Sequence, residues 1–589
     1  MRFLRLGAVL GLTVSITAAS PTCPIDGPSF PKPLRPSQDE AIKAAVATLK
    51  DVFANVTERA HNYSISVQVF SANEPEPLFS LSHTAPKLAS QNSTGVKTVD
   101  ENTVFRLGSL TKIHTIYSFL INAGDKLLNE PVTKYVPELQ ALANRSDPVS
   151  YVAWDEITLG GLATQLTGIP HALLGELTQS KETRDKVLQY GFPPLTAEQT
   201  PPCGAFPTCN RAQFFKGIGS FHPSLAPYQT PAYSNVAFQL LGYALETITG
   251  KAFQSLMQET VIKPLGLNNT FLKAPEDSRG IIPGDRYVTG WAFDIGESVA
   301  TGNMYSSARD VSALGRAILG HKLLSPIATR RWLKPFAFSS DPLAMVGMPW
   351  GARRIKLEDT YRYTTAFNKA GNIGSYSALL AILPDFDIGF TVLLAGELPG
   401  NAGFALAGTY ITLLTELRYG RAYIETDTLG ESILPAIEEA ARAEAGAKYS
   451  GNYVYPNEKV NSSMTITTDE LPGLSISQWF SNGTDFAWIS TVLQNQYYPV
   501  KPRIRLYPSG LEGPAENGGK RVMFKAMFED ADAPRNNNKM FSTECGSWVS
   551  IESVIYGSAA VDELIFNLDS TGKVVSVTSP SLRVTLNKK

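Results

Sequence analysis

The chain has 589 residues, 43% of them hydrophobic and 18% charged, with a formal net charge of −2. That length exceeds what one hydrophobic core supports, so at least two domains are expected. The near-neutral balance gives no electrostatic basis for a nucleic-acid partner or for an anionic membrane surface, and it points to small neutral or mildly anionic partners.

At the N-terminus Arg2 and Arg5 precede an apolar run from Leu6 to Ala18, and small residues surround Ala19. This is the form of a cleaved secretory signal, residues 1–19, because the run is shorter than the roughly 20 residues of a spanning helix. A secreted, extracellular protein with no membrane contact after cleavage is expected. Four cysteines follow, at 23, 203, 209 and 545, an even number that suits an oxidising compartment. Four cysteines permit three pairings. Cys203 and Cys209 bracket a short Pro-rich loop and are expected to pair, which leaves Cys23 for Cys545. Glycosylation sequons begin at Asn55, Asn62, Asn92, Asn144, Asn268, Asn461 and Asn482, and they support secretion jointly with the signal and the cysteines.

Ser37-Gln-Asp-Glu40 has the form of a capping box and opens an apolar-periodic run to about Asn55, so a first helix is predicted there. Residues Ser64 to Ser82 alternate apolar and polar around Asn73-Glu-Pro, the pattern of two strands and a turn. From Ser109 to about Lys322 the helical period dominates, with amphipathic runs at Leu110–Ala123, Asn235–Ile248 and Ser307–Leu319 between Gly- and Pro-rich loops. Strands return between Tyr361 and Leu394. The apolar stretch Ser377–Gly396 is broken by Pro384, Asp385 and Asp387, so it reads as two buried strands and a turn. If these strands join the sheet begun by Ser64–Ser82, the helical region is an insertion in one α/β domain spanning 20–425. A helix from about Ile433 to Ala447, within a connector at 426–447, then leads to short β-rich runs over 448–589, read as a separate antiparallel β domain.

Three short motifs could carry chemistry. In Phe105-Arg-Leu-Gly-Ser109-Leu-Thr-Lys112 a strand-like entry meets a helix at a serine. A separation of three places Ser109 and Lys112 on one helix face. A serine hydroxyl is a poor nucleophile until a neighbouring base takes its proton, and a lysine, with a reference pKa of about 10.4, serves only where burial or nearby positive charge favours its neutral form. Ser-x-x-Lys alone recurs by chance, and a helix-capping serine before a solvent-facing lysine is the plainer explanation. Tyr233-Ser-Asn235 opens the next long helix with a phenol that can shuttle protons and an amide that can hold Lys112 or a substrate. Tyr455-Pro-Asn457 repeats that pattern in the β domain and reads as chance. Lys369-Ala-Gly371 is the only Lys-x-Gly in the sequence; on a strand it would supply positive charge and let a substrate backbone approach at the glycine.

With these motifs in order, the sequence resembles the serine β-lactamase-like and penicillin-binding-protein superfamily, which uses Ser-x-x-Lys, Tyr-x-Asn and Lys-Thr-Gly. The resemblance extends through the segments Ile157–Ile169, Tyr233–Gly242, Ile262–Leu267 and Gly302–Asp310 and covers about residues 40–420. It is closest to the class C β-lactamase and D,D-peptidase-like branch, and within that to secreted fungal β-lactamase-like proteins. It implies an antiparallel sheet flanked by helices, acylation of Ser109, proton handling by Lys112 and Tyr233, and no cofactor. It also implies an oxyanion hole built from the backbone N–H groups of Ser109 and Asn372, with Asn235, Lys369 and Gly371 on the substrate. One departure is Ala370, where the family has a Thr or Ser hydroxyl that helps bind a substrate carboxylate. Simple activated esters are therefore expected to be turned over faster than β-lactams.

No Gly-x-Ser-x-Gly elbow occurs, and the six histidines form no His-Glu-x-x-His, which argues against an α/β-hydrolase or a metal hydrolase. His114 and His171 read as packing or surface residues. The expected activity is an acyl-enzyme hydrolase acting on an ester, amide or lactam of a small molecule or peptide. An acyltransferase on the same fold and an inactive secreted binding protein are the alternatives, and the oligomeric state is open.

Overall fold

The computed structural model describes residues 24–90, 93–143, 147–172, 195–197, 200, 203–204, 208–357, 362–396, 429–430, 432–457, 460–495, 501–515, 518–531, 551–556 and 559–589. The expected signal, Cys23, Cys545 and the sequons at Asn92 and Asn144 lie outside these residues. Two compact units are present: Lys43–Arg354 with Thr365–Ile433, and Leu434–Lys589 together with 355–364 and 24–42.

The first unit is built on β1 (Tyr63–Ser71), β2 (Phe79–His83), β3 (Phe105–Arg106), β4 (Tyr305–Ser306), β5 (Ala337–Phe338), β6 (Ala344–Val346), β7 (Gly351–Lys356), β8 (Tyr363–Ile373), β9 (Tyr376–Leu383) and β10 (Ile388–Gly396). All but β3 and β4 form one eight-stranded sheet in the order β2-β1-β10-β9-β8-β7-β6-β5. The strand that precedes the helical region therefore pairs with the last strand after it, antiparallel from Tyr63↔Gly396 to Ser71↔Ile388. This makes the helical region an insertion in a single α/β domain. Strands β1, β9 and β10 are buried at every position; β9 and β10 are accordingly mostly apolar on both faces, whereas β1 keeps its alternation, with the buried Ser64, Ser66 and Gln68 of one face hydrogen-bonded to Ala85 N, Ser82 Oγ and Ser80 Oγ.

The helices that matter for the site are α1 (Glu40–Arg59), α2 (Thr111–Ala123), α3 (Asn235–Thr249) and α4 (Ala308–Leu319). Helix α1 starts later than the capping-box pattern suggests. Pro36–Gln38 forms a 3-10 turn, so the capping oxygen comes from Asp39, whose carboxylate accepts from the N–H groups of Ala41 at 2.8 Å and Ile42 at 3.4 Å. Helix α4 packs on β1, β9 and β10. Gly315 of the helix and Gly389 of β10 make room for the Phe70 ring, since a Cβ at either position would meet it at 2.3 or 2.5 Å.

The second unit does not follow the chain-order division at 425 and 448. Residues 24–42 and 355–364 belong to it through long-range polar contacts: Leu34 and Arg35 donate backbone N–H groups to the Glu444 carboxylate, and the buried Arg362 pairs with Glu438 and donates to the Gly27 carbonyl. The helix over 432–449 is likewise part of this unit's core, through Ala441, Ala445 and Tyr449. The remaining strands are β11 (Gly451–Val454), β12 (Ser463–Thr467), β13 (Leu474–Ser481), β14 (Thr484–Asp485), β15 (Pro502–Pro514), β16 (Lys520–Asp530), β17 (Ile555–Tyr556), β18 (Ala559–Ala560), β19 (Glu563–Leu568), β20 (Val574–Ser579) and β21 (Val584–Lys588). Their main sheet runs β12-β11-β21-β20-β19-β16-β15-β13-β14, and β12 also pairs with β13. That extra pairing closes the sheet on itself, which removes its open edges. Inside sit Tyr453, Trp479, Phe524, Phe528 and Phe566.

Candidate active site

Ser109 lies in a 3-10 turn, Gly108–Leu110, which runs directly into α2. Gly108 takes φ +51°, and a Cβ there would come within 2.7 Å of the Asn372 backbone. Gly371 mirrors it: its Cβ would meet Leu107 O at 2.0 Å, Leu110 N at 2.5 Å and Ser109 N at 2.6 Å. Two glycines thus let β8 touch the serine turn backbone to backbone. Either side chain would force them apart.

The Lys112 amine is fully buried. It donates to Ser109 Oγ at 2.8 Å, Asn235 Oδ1 at 2.7 Å and the Thr301 carbonyl at 2.9 Å. Burial pushes its pKa well below the ordinary lysine value, and the positive charge of Lys369 pushes it further the same way. Ser109 Oγ also accepts from the Tyr233 hydroxyl at 2.7 Å. The serine and the amine lie three residues apart, the phenol comes from 124 residues further along the chain, and Tyr233 remains 38% exposed, so the group opens to solvent.

Lys369 stands behind the phenol. Its Nζ is 5.3 Å from the Tyr233 ring centre, and Lys112 Nζ is 5.1 Å from it. Burial brings the Lys369 amine down to about 7, and it donates to the carbonyl of Ala370 at 2.7 Å. Ala370 is 5% exposed. Asn372 follows on β8, opposite Ser377 of β9; its side-chain Nδ2 is buried without a hydrogen-bond partner.

Several supports escape a reading of the sequence. Gln165 clamps Ser234: its Oε1 accepts from Ser234 N at 2.7 Å, and its Nε2 donates to Ser234 O at 3.3 Å. Ser234 caps α3 through Ala237 N and donates to Pro170 O, which fixes Tyr233 and Asn235 on either side. The His171 carbonyl accepts from Asn235 N at 2.7 Å, and its ring lies 5.6 Å from the Tyr233 ring, so His171 borders the site. His114 is buried away from solvent, which lowers its pKa to about 4. Arg106, also buried, donates to the carbonyls of Gly290 and Phe293 and to Asn303 Oδ1, pinning the loop that leads to Thr301. Their residues do lie in segments singled out in the sequence, Gln165 in Ile157–Ile169, Ser234 in Tyr233–Asn235 and Arg106 in Phe105–Lys112, but nothing local marks them as supports.

The Cys203–Cys209 disulfide is present. The described sequon asparagines, at 55, 62, 268, 461 and 482, are all exposed. Among the described residues no cluster of three or more His, Cys, Asp or Glu side chains could hold a metal ion, and no helix is long and apolar enough to cross a membrane.

Residues 82–412 match the family model described as "Beta-lactamase", and residues 441–589 match the model described as "Beta-lactamase-like-like, C-terminal domain". The chain is 30% identical to a "Beta-lactamase-like protein" of Arthroderma benhamiae over 97% of this chain and 96% of that one. It is 25% identical to the "Probable hydrolase clz13" of Cochliobolus lunatus, over 97% and 92%. Among solved structures, a class C beta lactamase from Rhodobacter sphaeroides aligns at 21% identity with a TM-score of 0.42, covering 64% of this chain and 99% of that chain.

Proposed function

The chain belongs to the beta-lactamase family, and from that premise we propose that it is a secreted serine hydrolase which cleaves an ester, amide or lactam bond through an acyl-enzyme on Ser109. The observation that carries this reading is the pair of hydrogen bonds on Ser109 Oγ, from Lys112 at 2.8 Å and Tyr233 at 2.7 Å. Burial favours the neutral amine; in that form its two hydrogens serve Asn235 Oδ1 and the Thr301 carbonyl, and its lone pair accepts the hydrogen bond, and then the proton, of the Ser109 hydroxyl.

Oγ attacks the substrate carbonyl as its proton moves to Lys112. Tyr233 relays a proton to the leaving group, whose bond to the acyl carbon breaks. The backbone N–H groups of Ser109 and Asn372 hold the oxyanion, a kind of contact whose loss costs about 10²–10³ in rate. Water, deprotonated by the same pair, then bonds to the acyl carbon, the bond from that carbon to Ser109 Oγ breaks, and the pair returns the proton to Oγ as the acid product leaves. Lys369 supplies positive charge for an anionic group on the substrate. The absence of a hydroxyl at Ala370 favours esters over β-lactams. Secretion is supported by the N-terminal sequence, the disulfide and the exposed sequons.

The test is covalent labelling. A fluorophosphonate or an activated ester should add one adduct mass to the full-length protein, mapped to Ser109, and Ser109→Ala should abolish it. Wild-type protein left unlabelled by fluorophosphonate, ester and β-lactam donors would overturn the reading in favour of a binding role.

A further inference from the structure

Thr115 follows Lys112 by three residues on α2, a spacing that sets both side chains on one face of the helix. That face meets the one-turn helix Val299–Gly302, whose last carbonyls lack the partners a longer helix would give them. The amide of Met304, four residues past Ala300, donates instead to Thr111 Oγ1 at 3.1 Å, and that of Tyr305, four past Thr301, donates to the Phe271 carbonyl at 2.8 Å. Two consecutive carbonyls are thereby left to side chains of α2: Ala300 O accepts from Thr115 Oγ1 at 2.7 Å, and Thr301 O accepts from Lys112 Nζ at 2.9 Å.

Thr115 and Ala300 are both buried, so removing the hydroxyl strands a carbonyl away from water. Helix α3 grips the same turn: a Cβ on Gly242 would lie 2.8 Å from that of Ala300, and Thr301 Oγ1 donates to the Asn235 carbonyl at 3.2 Å. The direction of the Thr301 carbonyl matters because a neutral amine has two hydrogens and one lone pair. With one hydrogen on Asn235 Oδ1 and the other on Thr301 O, the lone pair is left for Ser109 Oγ, 2.8 Å away. A Thr301 carbonyl that drifts takes that hydrogen with it and turns the lone pair off the serine.

We propose that Thr115 is a positioning residue for the general base: its hydroxyl, bonded to Ala300 O, holds the peptide unit that leads to Thr301, so that the Thr301 carbonyl fixes the rotation of the Lys112 amine and aims its lone pair at Ser109. The inference rests on the acyl-enzyme reading above. Thr115 touches neither the serine nor the substrate, and its effect passes through Lys112 alone.

The experiment follows the p-nitrophenolate burst of full-length protein with p-nitrophenyl acetate as a function of pH and ester concentration. Thr115→Val keeps the branched shape and loses the hydroxyl, and Thr115→Ser keeps the hydroxyl. Misplacement of a reacting group by about 1 Å costs about 100-fold, so Thr115→Val should lower the limiting acylation rate by about 10- to 100-fold while the ester concentration giving half that rate stays level. A carbonyl stabilises the charged amine more than the neutral one, so the acid limb of the rate profile should also move to lower pH; partial unfolding would scale the profile without moving that limb. The other charged and titratable groups beside the amine, Lys369 and Tyr233, are the same in every variant. Thr115→Ser should restore most of the rate. Thermal melts establish folding, and Thr115→Ala, a stronger helix former, carries the same test if the valine protein does not fold. A folded hydroxyl-free variant that acylates within about twofold of wild type, less than one net hydrogen bond is worth, refutes the role of Thr115 while the acyl-enzyme reading stands, and so does a serine variant as slow as the valine one. If no ester acylates Ser109 in the wild type, that reading fails and the inference falls with it.

Discussion

Gly371→Ala isolates the contact on which the oxyanion site depends. The added Cβ would sit 2.0 Å from Leu107 O and 2.6 Å from Ser109 N, where ordinary contact begins at 3.4 Å. Both obstacles are backbone, so β8 and the serine turn must part by about 1.4 Å, and a misplacement of about 1 Å at reacting groups already costs about 100-fold. Loss of one oxyanion donor costs about 100- to 1,000-fold in kcat, so acylation should fall by at least about 100-fold. The assay is the stopped-flow p-nitrophenolate burst from an activated ester, run beside a thermal melt to establish that the variant is folded. Gly430→Ala, where a Cβ meets nothing within 4 Å, is the control and should leave the burst unchanged. A folded Gly371→Ala protein that acylates within threefold of wild type would refute the close-approach argument.

Three further outcomes follow from the buried Lys369 and from Ala370. Because burial lowers the Lys369 amine to about 7 while an unfolded lysine titrates near 10.4, the unfolded chain binds more protons between those values and this residue makes stability rise with pH across that window. Lys369→Met should therefore raise Tm most below pH 7, with the gain vanishing toward pH 10; melting curves across that range decide it. For an ester donor carrying a carboxylate, KM should climb as pH passes about 7 and Lys369 loses its charge, while KM for a neutral ester stays level. Ala370→Thr should increase acylation by β-lactams several-fold, read as adduct mass against time, and no change would place residue 370 away from the substrate.

The elements themselves were legible because they are local. The alternation in Ser64–Ser82 gives β1 and β2, and the apolar period gives α2, α3 and α4 within a residue or two. The Ser109–Lys112 contact needs only a three-residue spacing on one face, and the Cys203–Cys209 bridge spans only six residues. One local signal misled: the box at Ser37 competes with Pro36, whose fixed φ suits a 3-10 turn, and the cap passes to Asp39.

Periodicity reports which face of a segment is buried and is silent on what covers it. Lys112 meets partners 123 and 189 residues away, and the Thr301 interaction uses a backbone carbonyl, which no motif marks. The clamp of Gln165 on Ser234 and the seat of His171 against Tyr233 depend on how the Ile157–Ile169 segment lies over the start of α3. The transfer of 24–42 and 355–364 to the C-terminal unit, and the closure of its sheet by β12 and β13, likewise arise from long-range pairing. The amino-acid order by itself determined the elements, the contact of Ser109 with its neighbouring amine, and the short disulfide, because each is encoded within a few residues. Only the tertiary structure decided the proton network, the backbone contact behind the serine and the composition of the two units, because desolvation and hydrogen-bond geometry exist only once distant segments meet.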